Sequence, residues 1–159
     1  MKKLRFILLL TLVLLASGRS AAYDFVSDGL YYNILDGDAK TVELTCSNYT
    51  DWDTQSDYSG DIVVPSEVTI GGITYKVIKI GQLAFKRSTI TSLTLSEGIE
   101  TIGQDICEGC SQLTTLSLPS SLRSIEYAAF WGCSGITSLS LPEGLTTIGN
   151  SVFRYCSVV

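Results

Sequence analysis

A sequence period of 23 residues dominates the chain from residue 90 onward. Written one below another, the segments ITSLTLSEGIETIGQDICEGCSQ, LTTLSLPSSLRSIEYAAFWGCSG and ITSLSLPEGLTTIGNSVFRYCSVV align without a gap. Two columns show the period most clearly, one of isoleucine and one of cysteine: Ile102, Ile125, Ile148, Cys110, Cys133 and Cys156. Because a fixed period of this length is typical of stacked repeats that contact only their neighbours, the sequence predicts a solenoid.

Each repeat contains two short runs of inward-facing apolar residues. In the first full repeat, Ile90, Leu93 and Leu95 form the pattern L-x-x-L-x-L, and Ile99 and Ile102 follow as a second inward pair. This pattern predicts a leucine-rich-repeat solenoid, mostly of short β-strands with short helical or 3-10 turns and a β-rich N-terminal cap. One coil buries too few apolar side chains to offset the entropy of ordering it, so stacking is obligatory.

We divide the region 61–159 into four leucine-rich repeats. Their bounds are 61–89, which is atypical, then 90–112, 113–135 and 136–158. In the atypical repeat, Ile70-Gly71-Gly72-Ile73 predicts an inserted hairpin, because paired glycines between β-forming residues favour a tight turn. The last coil carries no visible cap, so we expect either a longer repeat protein or a partner that covers this C-terminal edge.

Residues 23–60 are predicted to form the N-terminal cap. The runs Leu30–Leu35 and Thr41–Cys46 flank a turn at 36–40 and predict a hairpin. The polar stretch 47–60 predicts a surface loop. Such a cap would hide the apolar end of the first coil, which an open solenoid requires.

The first 22 residues have the composition of a secretory signal peptide. Lys2, Lys3 and Arg5 precede the apolar run 6–16, and small residues end the segment, with cleavage predicted after Ala22. The apolar run is shorter than the roughly 20 residues of a membrane span, so a retained membrane anchor is the weaker alternative. The chain is therefore predicted to be exported, either secreted or held at the cell surface.

The charge balance argues against two classes of partner. The chain has 11 basic and 16 acidic residues; the leader contains four of the basic ones and no acidic ones, which leaves the remainder at −9. Eight acidic residues lie between Tyr23 and Gly60, where Lys40 is the single basic residue. An acidic surface argues against nucleic acid as a partner and against charge-driven binding to anionic membranes.

The chain has five cysteines, all beyond the predicted leader. Three of them hold one repeat position, and Ser88 occupies the same position in the atypical repeat. We favour a ladder of buried thiols over disulfides, because the Cβ vectors of stacked coils run parallel, a geometry that a disulfide tolerates poorly. Cys107 and Cys110 form a C-x-x-C pair, but both sit on repeat positions, which disfavours a redox motif.

The sequence predicts no catalytic residue, no metal ligand and no cofactor. It contains no histidine, which excludes Ser-His-Asp and Cys-His catalysis and any His-ligated metal. Asp51, Asp53 and Asp57 have the spacing of calcium-loop ligands, but Gln55 and Ser56 stand where that loop needs Asp or Asn and then Gly. A solvated acidic loop is the favoured interpretation.

The repeats resemble a known family. The consensus L-T-S-L-x-L-P-x-x-L-x-x-I-G-x-x-A-F-x-x-C-S, seen at 113–134 and 136–157, is similar to the BspA-type leucine-rich repeat of bacterial surface proteins. The segment 23–85 also resembles the region that precedes such repeats. Departures include Glu126 and Tyr155, which stand where other repeats have glycine. The resemblance implies an exported protein that adheres to host proteins or to other cells.

Two groups of outward residues are candidates for ligand binding. The first is aromatic: Tyr127 and Trp131 replace polar residues of the other repeats, so we expect both to be exposed. They lie four positions apart, on one side of any helical turn there, with Arg154 and Tyr155 one coil further on. Exposed Trp and Tyr are common binding anchors, whereas the alternative is a cover for the convex edge.

The second group consists of hydroxyl side chains in the first strand of each repeat. One column contains Ser92, Thr115 and Ser138, and the next contains Thr94, Ser117 and Ser140. The plainer interpretation of these columns is strand propensity and solubility, and the alternative is a ligand face.

The sequence thus predicts a non-catalytic, exported binding module whose partner is an extracellular protein or a glycan. The alternative is a structural segment that self-associates through its uncapped C-terminal edge and open strands.

Overall fold

The structure, a computed structural model, describes residues 23–48 and 55–157. The predicted leader and two aspartates of the calcium-like loop, Asp51 and Asp53, lie outside these residues. Within them the chain forms eleven β-strands. They are β1 (Phe25–Ser27), β2 (Leu30–Asp36), β3 (Thr41–Thr45), β4 (Ser59–Val64), β5 (Glu67–Ile70), β6 (Ile73–Ile80), β7 (Thr89–Leu95), β8 (Thr101–Ile102), β9 (Thr115–Ser117), β10 (Ser124–Ile125) and β11 (Thr147–Ile148).

The strands build two sheets on two sides of a solenoid. The long sheet has the order β1-β2-β3-β6-β8-β10-β11, with β5 paired beside β6, and the short sheet has the order β4-β7-β9. From β3 onward the neighbours along both paths are parallel. Each of the first three coils contributes one strand to each sheet, so the chain winds from one sheet to the other and back.

The inward isoleucines of the long sheet lie in register, as the period predicts. Ile80 pairs with Ile102, Ile102 with Ile125, and Ile125 with Ile148. The first three of these residues are fully buried. One hydrophobic cluster continues through the described coils and into the N-terminal strands. The predicted solenoid is confirmed.

The N-terminal hairpin covers the first coil. Strands β2 and β3 pair antiparallel, with Ile34 opposite Val42, and β3 then pairs in parallel with β6, with Val42 opposite Val77. Tyr32 of β2 and Leu44 of β3 are fully buried. The predicted hairpin is confirmed, and strand β1, which the sequence did not indicate, extends it by one antiparallel strand.

The prediction of a surface loop over 47–60 is wrong at its C-terminal end. Ser56 and Tyr58 are buried, and β4 already begins at Ser59. Ser56 Oγ donates to the Ala84 carbonyl at 2.8 Å, and Tyr58 Oη donates to the Thr45 carbonyl at 2.8 Å. Ser56 thus holds the cap to the first coil, and Tyr58 joins two parts of the cap. A count of polar residues alone cannot distinguish such a segment from a solvated loop.

The inserted hairpin is confirmed. Strands β5 and β6 pair antiparallel, with Ile70 opposite Ile73 across the two-residue turn. Gly71 and Gly72 have φ of 58° and 80°, the left-handed values that a tight hairpin turn needs and that glycine adopts without strain.

The third side of the solenoid, called here the turn side, consists of residues 82–87, 104–109, 127–132 and 150–155. We expected short helical or 3-10 turns here. These described segments instead form turns in which one backbone N–H group donates to the next coil and the following one donates within its own turn. Phe85 N donates to the Ile106 carbonyl of the next coil at 2.7 Å, whereas Lys86 N donates back to the Leu83 carbonyl at 3.1 Å. Leu83 has φ of 61°, which interrupts a right-handed helix.

Candidate functional site

One column of the turn side holds a different residue in every coil. Lys86, Glu108, Trp131 and Arg154 follow one another along it. Lys86 Nζ lies 2.8 Å from Glu108 Oε2, and the lysine is buried. Lys86 is therefore buried although its side chain is charged. Ser56 N of the cap donates to the Lys86 carbonyl at 2.9 Å, so the cap contacts this part of the first coil. The expectation that Trp131 is exposed is also only partly right, since its side chain is half-buried.

The structure brings three of the predicted residues together at one end of this column. The Trp131 and Tyr155 rings meet edge to face, with centroids 5.3 Å apart and an interplanar angle of 88°. Arg154 Cζ lies 4.9 Å from the Tyr155 ring centroid, and Arg154 Nη2 donates to Tyr155 Oη at 3.1 Å. Edge-to-face aromatic pairs and cations over aromatic faces are both favourable arrangements. We call Trp131, Arg154 and Tyr155 the aromatic patch.

Tyr155 occupies a backbone conformation that suits glycine. Its φ is 62°, and at the same repeat position Gly109 and Gly132 have φ of 77° and 74°. A left-handed conformation costs a residue with a Cβ about 1–2 kcal/mol. The ring nevertheless remains 61 % exposed to solvent. Arg87 of the first coil has the same conformation at this position, with φ of 53°, so the conformation belongs to the repeat and the exposed ring is what distinguishes Tyr155.

Tyr127 does not join the aromatic patch through any ring contact among the described residues. Its side chain is 52 % exposed, as predicted. The inference that it shares one side of a helical turn with Trp131 is wrong, because the segment between them is not helical. Ala128, directly after Tyr127, has φ of 51°. Helical spacing therefore does not apply there.

The first two members of each hydroxyl column are paired on neighbouring strands of the short sheet. Ser92 pairs with Thr115, and Thr94 pairs with Ser117. Ser92 and Thr94 are half-buried, whereas the other four residues, Thr115, Ser117, Ser138 and Ser140, are exposed. Ser138 and Ser140 lie one period further on, outside any assigned strand.

Strand β4 extends both columns with residues that the sequence analysis passed over. Asp61 pairs with Ser92, and Val63 pairs with Thr94. The sequence could have indicated this. Aligning the atypical repeat with the last one pairs Ile62 with Leu139, which places Asp61 and Val63 at the positions of Ser138 and Ser140. The face therefore changes from hydroxyl groups to a carboxylate and an exposed valine at its N-terminal end.

The described residues contain no group of three or more His, Cys, Asp or Glu side chains arranged to hold a metal ion. In the same part of the chain, no helix has the length and apolar character needed to cross a membrane.

The comparisons with known proteins agree with this geometry. The model of the BspA type leucine-rich repeat region matches residues 66–159 in six copies. The chain belongs to the BspA-type leucine-rich repeat family. Proteins of this kind are typically non-catalytic and serve as general scaffolds for protein binding. A comparison with curated proteins finds no match.

Solved leucine-rich repeat proteins share the fold. One from Bacteroides capillosus ATCC 29799 is 24 % identical with a TM-score of 0.71, and the match covers 84 % of this chain and 93 % of that one. One from Bacteroides ovatus ATCC 8483 is 30 % identical with a TM-score of 0.71, over 84 % of this chain and 33 % of that one. This BspA-type chain thus spans about a third of the Bacteroides ovatus protein. A leucine-rich repeat protein of T. pallidum is 20 % identical with a TM-score of 0.60, over 85 % and 69 % of the two chains.

Proposed function

We propose that this chain is an exported adhesion module that binds a protein on another surface through the aromatic patch. The general role, a repeat scaffold for protein binding, follows from the family. Export is supported by the basic, apolar and small-residue order of residues 1–22, and a place outside the cell, secreted or at the cell surface, follows from it.

One observation supports the aromatic patch as the binding surface. Tyr155 presents an exposed aromatic ring at a left-handed position where two other coils have glycine and the first coil has Arg87. The exposed ring leaves apolar surface in water, which a bound partner would cover. Binding energy at protein interfaces is concentrated in Trp, Tyr and Arg side chains, and the aromatic patch contains one of each.

Trp131 supplies the fixed part of this surface. Its ring is half-buried and holds the exposed Tyr155 ring edge to face, so less side-chain entropy is lost when a partner covers the pair. Tyr127, 52 % exposed on the same coil, and the hydroxyl columns are further contact surfaces in this proposal.

A binding array tests the proposal. The purified protein is applied to extracellular-matrix proteins and glycans as wild type and as Trp131→Ala/Tyr155→Ala, with circular dichroism as the control for folding. We expect binding to one or more proteins that the double substitution weakens by about tenfold or more. Binding to glycans alone, or binding that ignores the substitution, would contradict the proposed partner class or surface.

A second function is favoured by the exposed apolar residues of the last described coil. Leu141 is 41 % exposed and Ile148 is 50 % exposed, and β11 pairs with β10 on one side only within the described residues. We infer that this edge can pair with a second copy of the chain. Sedimentation velocity tests this idea: a mass that rises with concentration and that Ile148→Asp holds at the monomer value supports self-association.

A further inference from the structure

The backbone hydrogen bonds that join the described turns of the turn side run in one direction. Leu83 N, Phe85 N and Arg87 N of the first coil each donate to a carbonyl group of the next coil, at 2.7–3.1 Å. The same three positions donate at the two junctions that follow: Asp105, Cys107, Gly109, Ala128, Phe130 and Gly132. The peptide dipoles of the stacked turns are therefore aligned, as they are in a helix, with their positive N–H ends toward the last coil.

The cap closes the N-terminal end of this row of hydrogen bonds. Carbonyl groups face that end, and Ser56 supplies donors for two of them. Ser56 N donates to the Lys86 carbonyl at 2.9 Å, and Ser56 Oγ donates to the Ala84 carbonyl at 2.8 Å. The cap thus does for the first coil what each coil does for the one that follows it, which is to pair its carbonyl groups.

The opposite end of the row presents N–H groups. They belong to Ser151, Phe153 and Tyr155, which hold the three donor positions in the last described coil. None of these three groups donates a hydrogen bond to another described residue, whereas Arg154 N between them donates to the Ser151 carbonyl at 3.1 Å. Ser151 and Phe153 are half-buried and Tyr155 is exposed, so an acceptor can approach them from beyond this coil.

Arg154 adds a positive charge beside these N–H groups. Its Cζ lies 4.9 Å from the Tyr155 ring centroid, and Nη2 donates to Tyr155 Oη at 3.1 Å, so the aromatic ring holds the guanidinium in place. Arg154 forms no ion pair with a carboxylate of the described residues. A guanidinium has five N–H donors, so most of them remain available to a partner. We call the Arg154 guanidinium and the N–H groups of Ser151, Phe153 and Tyr155 the donor edge.

We propose that the donor edge binds carboxylate side chains of the partner protein. The inference rests on the proposed function, because it names the chemistry of the partner that the aromatic patch contacts. A carboxylate offers acceptors only, and its charge complements both Arg154 and the N–H ends of the aligned dipoles. A β-strand edge fits less well, since it presents N–H groups beside its carbonyl groups and would set donors against donors.

The chain already uses a carboxylate in this way between two coils. Glu97 accepts hydrogen bonds from Ser120 N at 2.9 Å, from Ser120 Oγ at 3.0 Å and from Ser121 N at 3.1 Å. The bond from Ser120 N is the main reason that the pKa of Glu97 is lowered. Backbone N–H groups at the surface of these coils therefore stabilise an ionised carboxylate.

The negative charge of the chain lies mainly away from the donor edge. Eight of its 16 acidic residues belong to the segment 23–60, which forms the cap at the opposite end of the described coils. Their repulsion of an acidic partner is screened over that distance at physiological salt, where the Debye length is about 8 Å.

The test is an NMR titration of the ¹⁵N-labelled protein with a triglutamate peptide blocked at both ends. The blocked triglutamine peptide, which has the same backbone and no charge, is the matched probe. We expect triglutamate to shift the amide resonances of Ser151, Phe153 and Tyr155 with a roughly millimolar Kd, and triglutamine to leave them in place. Raising the salt concentration should weaken the binding, because the donor edge is exposed.

Two variants separate the donor edge from general attraction to positive charge. Arg154→Gln should raise the Kd for triglutamate about tenfold or more, since it removes a charge-assisted hydrogen bond. Lys40→Gln, an equal change of charge in the turn between β2 and β3, is the control and should alter the Kd by less than about twofold. Equal shifts from triglutamine, no shift from either peptide, or equal effects of the two variants would each overturn the proposal.

The binding array distinguishes a failure of this inference from a failure of the proposed function. An array ligand that Trp131→Ala/Tyr155→Ala weakens, but that ignores both Arg154→Gln and added salt, would keep the aromatic patch and overturn the donor edge. Binding of triglutamate at the donor edge without any array ligand would support this inference and contradict the adhesion proposal.

Discussion

The thiol of Cys133 donates a hydrogen bond to the backbone carbonyl of Cys107, 3.1 Å away on the preceding coil. The same contact recurs along the column. Cys110 Sγ donates to the Phe85 carbonyl at 2.9 Å, and Cys156 Sγ donates to the Phe130 carbonyl at 3.1 Å. Each cysteine thus satisfies a carbonyl of the coil before it. The cysteine period is therefore explained by hydrogen bonding and packing, with no disulfide needed.

Thiol counting tests this ladder. All five cysteines are free in the structure, and only Cys156 is partly accessible. We expect five reactive thiols in guanidinium chloride and, under native conditions, modification of Cys156 well before the buried four, because burial excludes the reagent. Mass spectrometry after iodoacetamide treatment gives both the count and the order. A denatured count of one or three would mean that disulfides exist.

The backbone strain at Tyr155 predicts an unusual order of stabilities. Tyr155→Gly should be more stable than Tyr155→Ala by about 1 kcal/mol, because glycine relieves the left-handed conformation whereas alanine keeps it. Both variants lose the contact with Trp131, so that loss cancels in the comparison. Urea unfolding measures the difference. A more stable alanine variant, which is the order at ordinary strand positions, would show that no strain is stored there.

Two carboxylates should respond to pH in opposite directions. Burial raises the pKa of Asp105, outweighing the hydrogen bond from Gln104, so protonation favours the folded state and its ionised form lowers stability at neutral pH. Hydrogen bonds from Ser120 and Ser121 lower the pKa of Glu97, so its contribution is present above the unfolded pKa and is lost as pH falls through the folded pKa.

Calorimetry on two variants from about pH 7 to about pH 2 separates these effects, since the contribution of Glu97 is lost only below the ordinary glutamate pKa of about 4.3. Asp105→Asn should raise Tm most at neutral pH, with an advantage that shrinks on acidification. Glu97→Gln should lower Tm at neutral pH, with a deficit that also shrinks on acidification. Gaps that stay constant with pH would show that neither carboxyl titrates differently in the folded and unfolded states.

The Tyr32 hydroxyl has no hydrogen-bond partner among the described residues, so we expect its removal to be harmless to the fold. Tyr32→Phe retains the stacking on Phe25, whose ring centroid is 5.4 Å away, and should leave the free energy of unfolding unchanged or raise it by up to about 1 kcal/mol. Tyr58→Phe is the matched control and should cost about 1–3 kcal/mol, because it removes one buried and one partly buried hydrogen bond. Equal losses in urea titrations would mean that the Tyr32 hydroxyl already has a partner.

The sequence period was sufficient to predict the stacking, because each repeat position maps to one direction in every coil. Ile102 and Ile125 pair as the 23-residue offset requires, and so do Ser92 and Thr115. The Gly71-Gly72 turn was equally predictable, since its φ values demand glycine. Local sequence patterns were thus enough to predict the stacked coils and the inserted hairpin.

The candidate site was less predictable, because exposure depends on what lies over a coil and not on the repeat. Lys86 is buried since the cap contacts its backbone, although it shares a column with Arg154, which is exposed. A spacing of four residues predicted that Tyr127 and Trp131 share one side of a helical turn. The backbone hydrogen bonds of the turn side alternate in direction, so no helix forms between these two residues. The sequence shows tyrosine at position 155, where two other repeats have glycine. Only the structure shows that this residue has a left-handed backbone conformation.

The central claim is that the aromatic patch, and not the strand face, contacts the partner. It is tested most directly by measuring the Kd for the tightest array ligand with two double variants. We expect Trp131→Ala/Tyr155→Ala to raise the Kd by at least about tenfold and Thr115→Ala/Ser138→Ala on the hydroxyl columns to leave it within about twofold. The reverse order, with both variants folded, would place the binding surface on the short sheet and contradict the account.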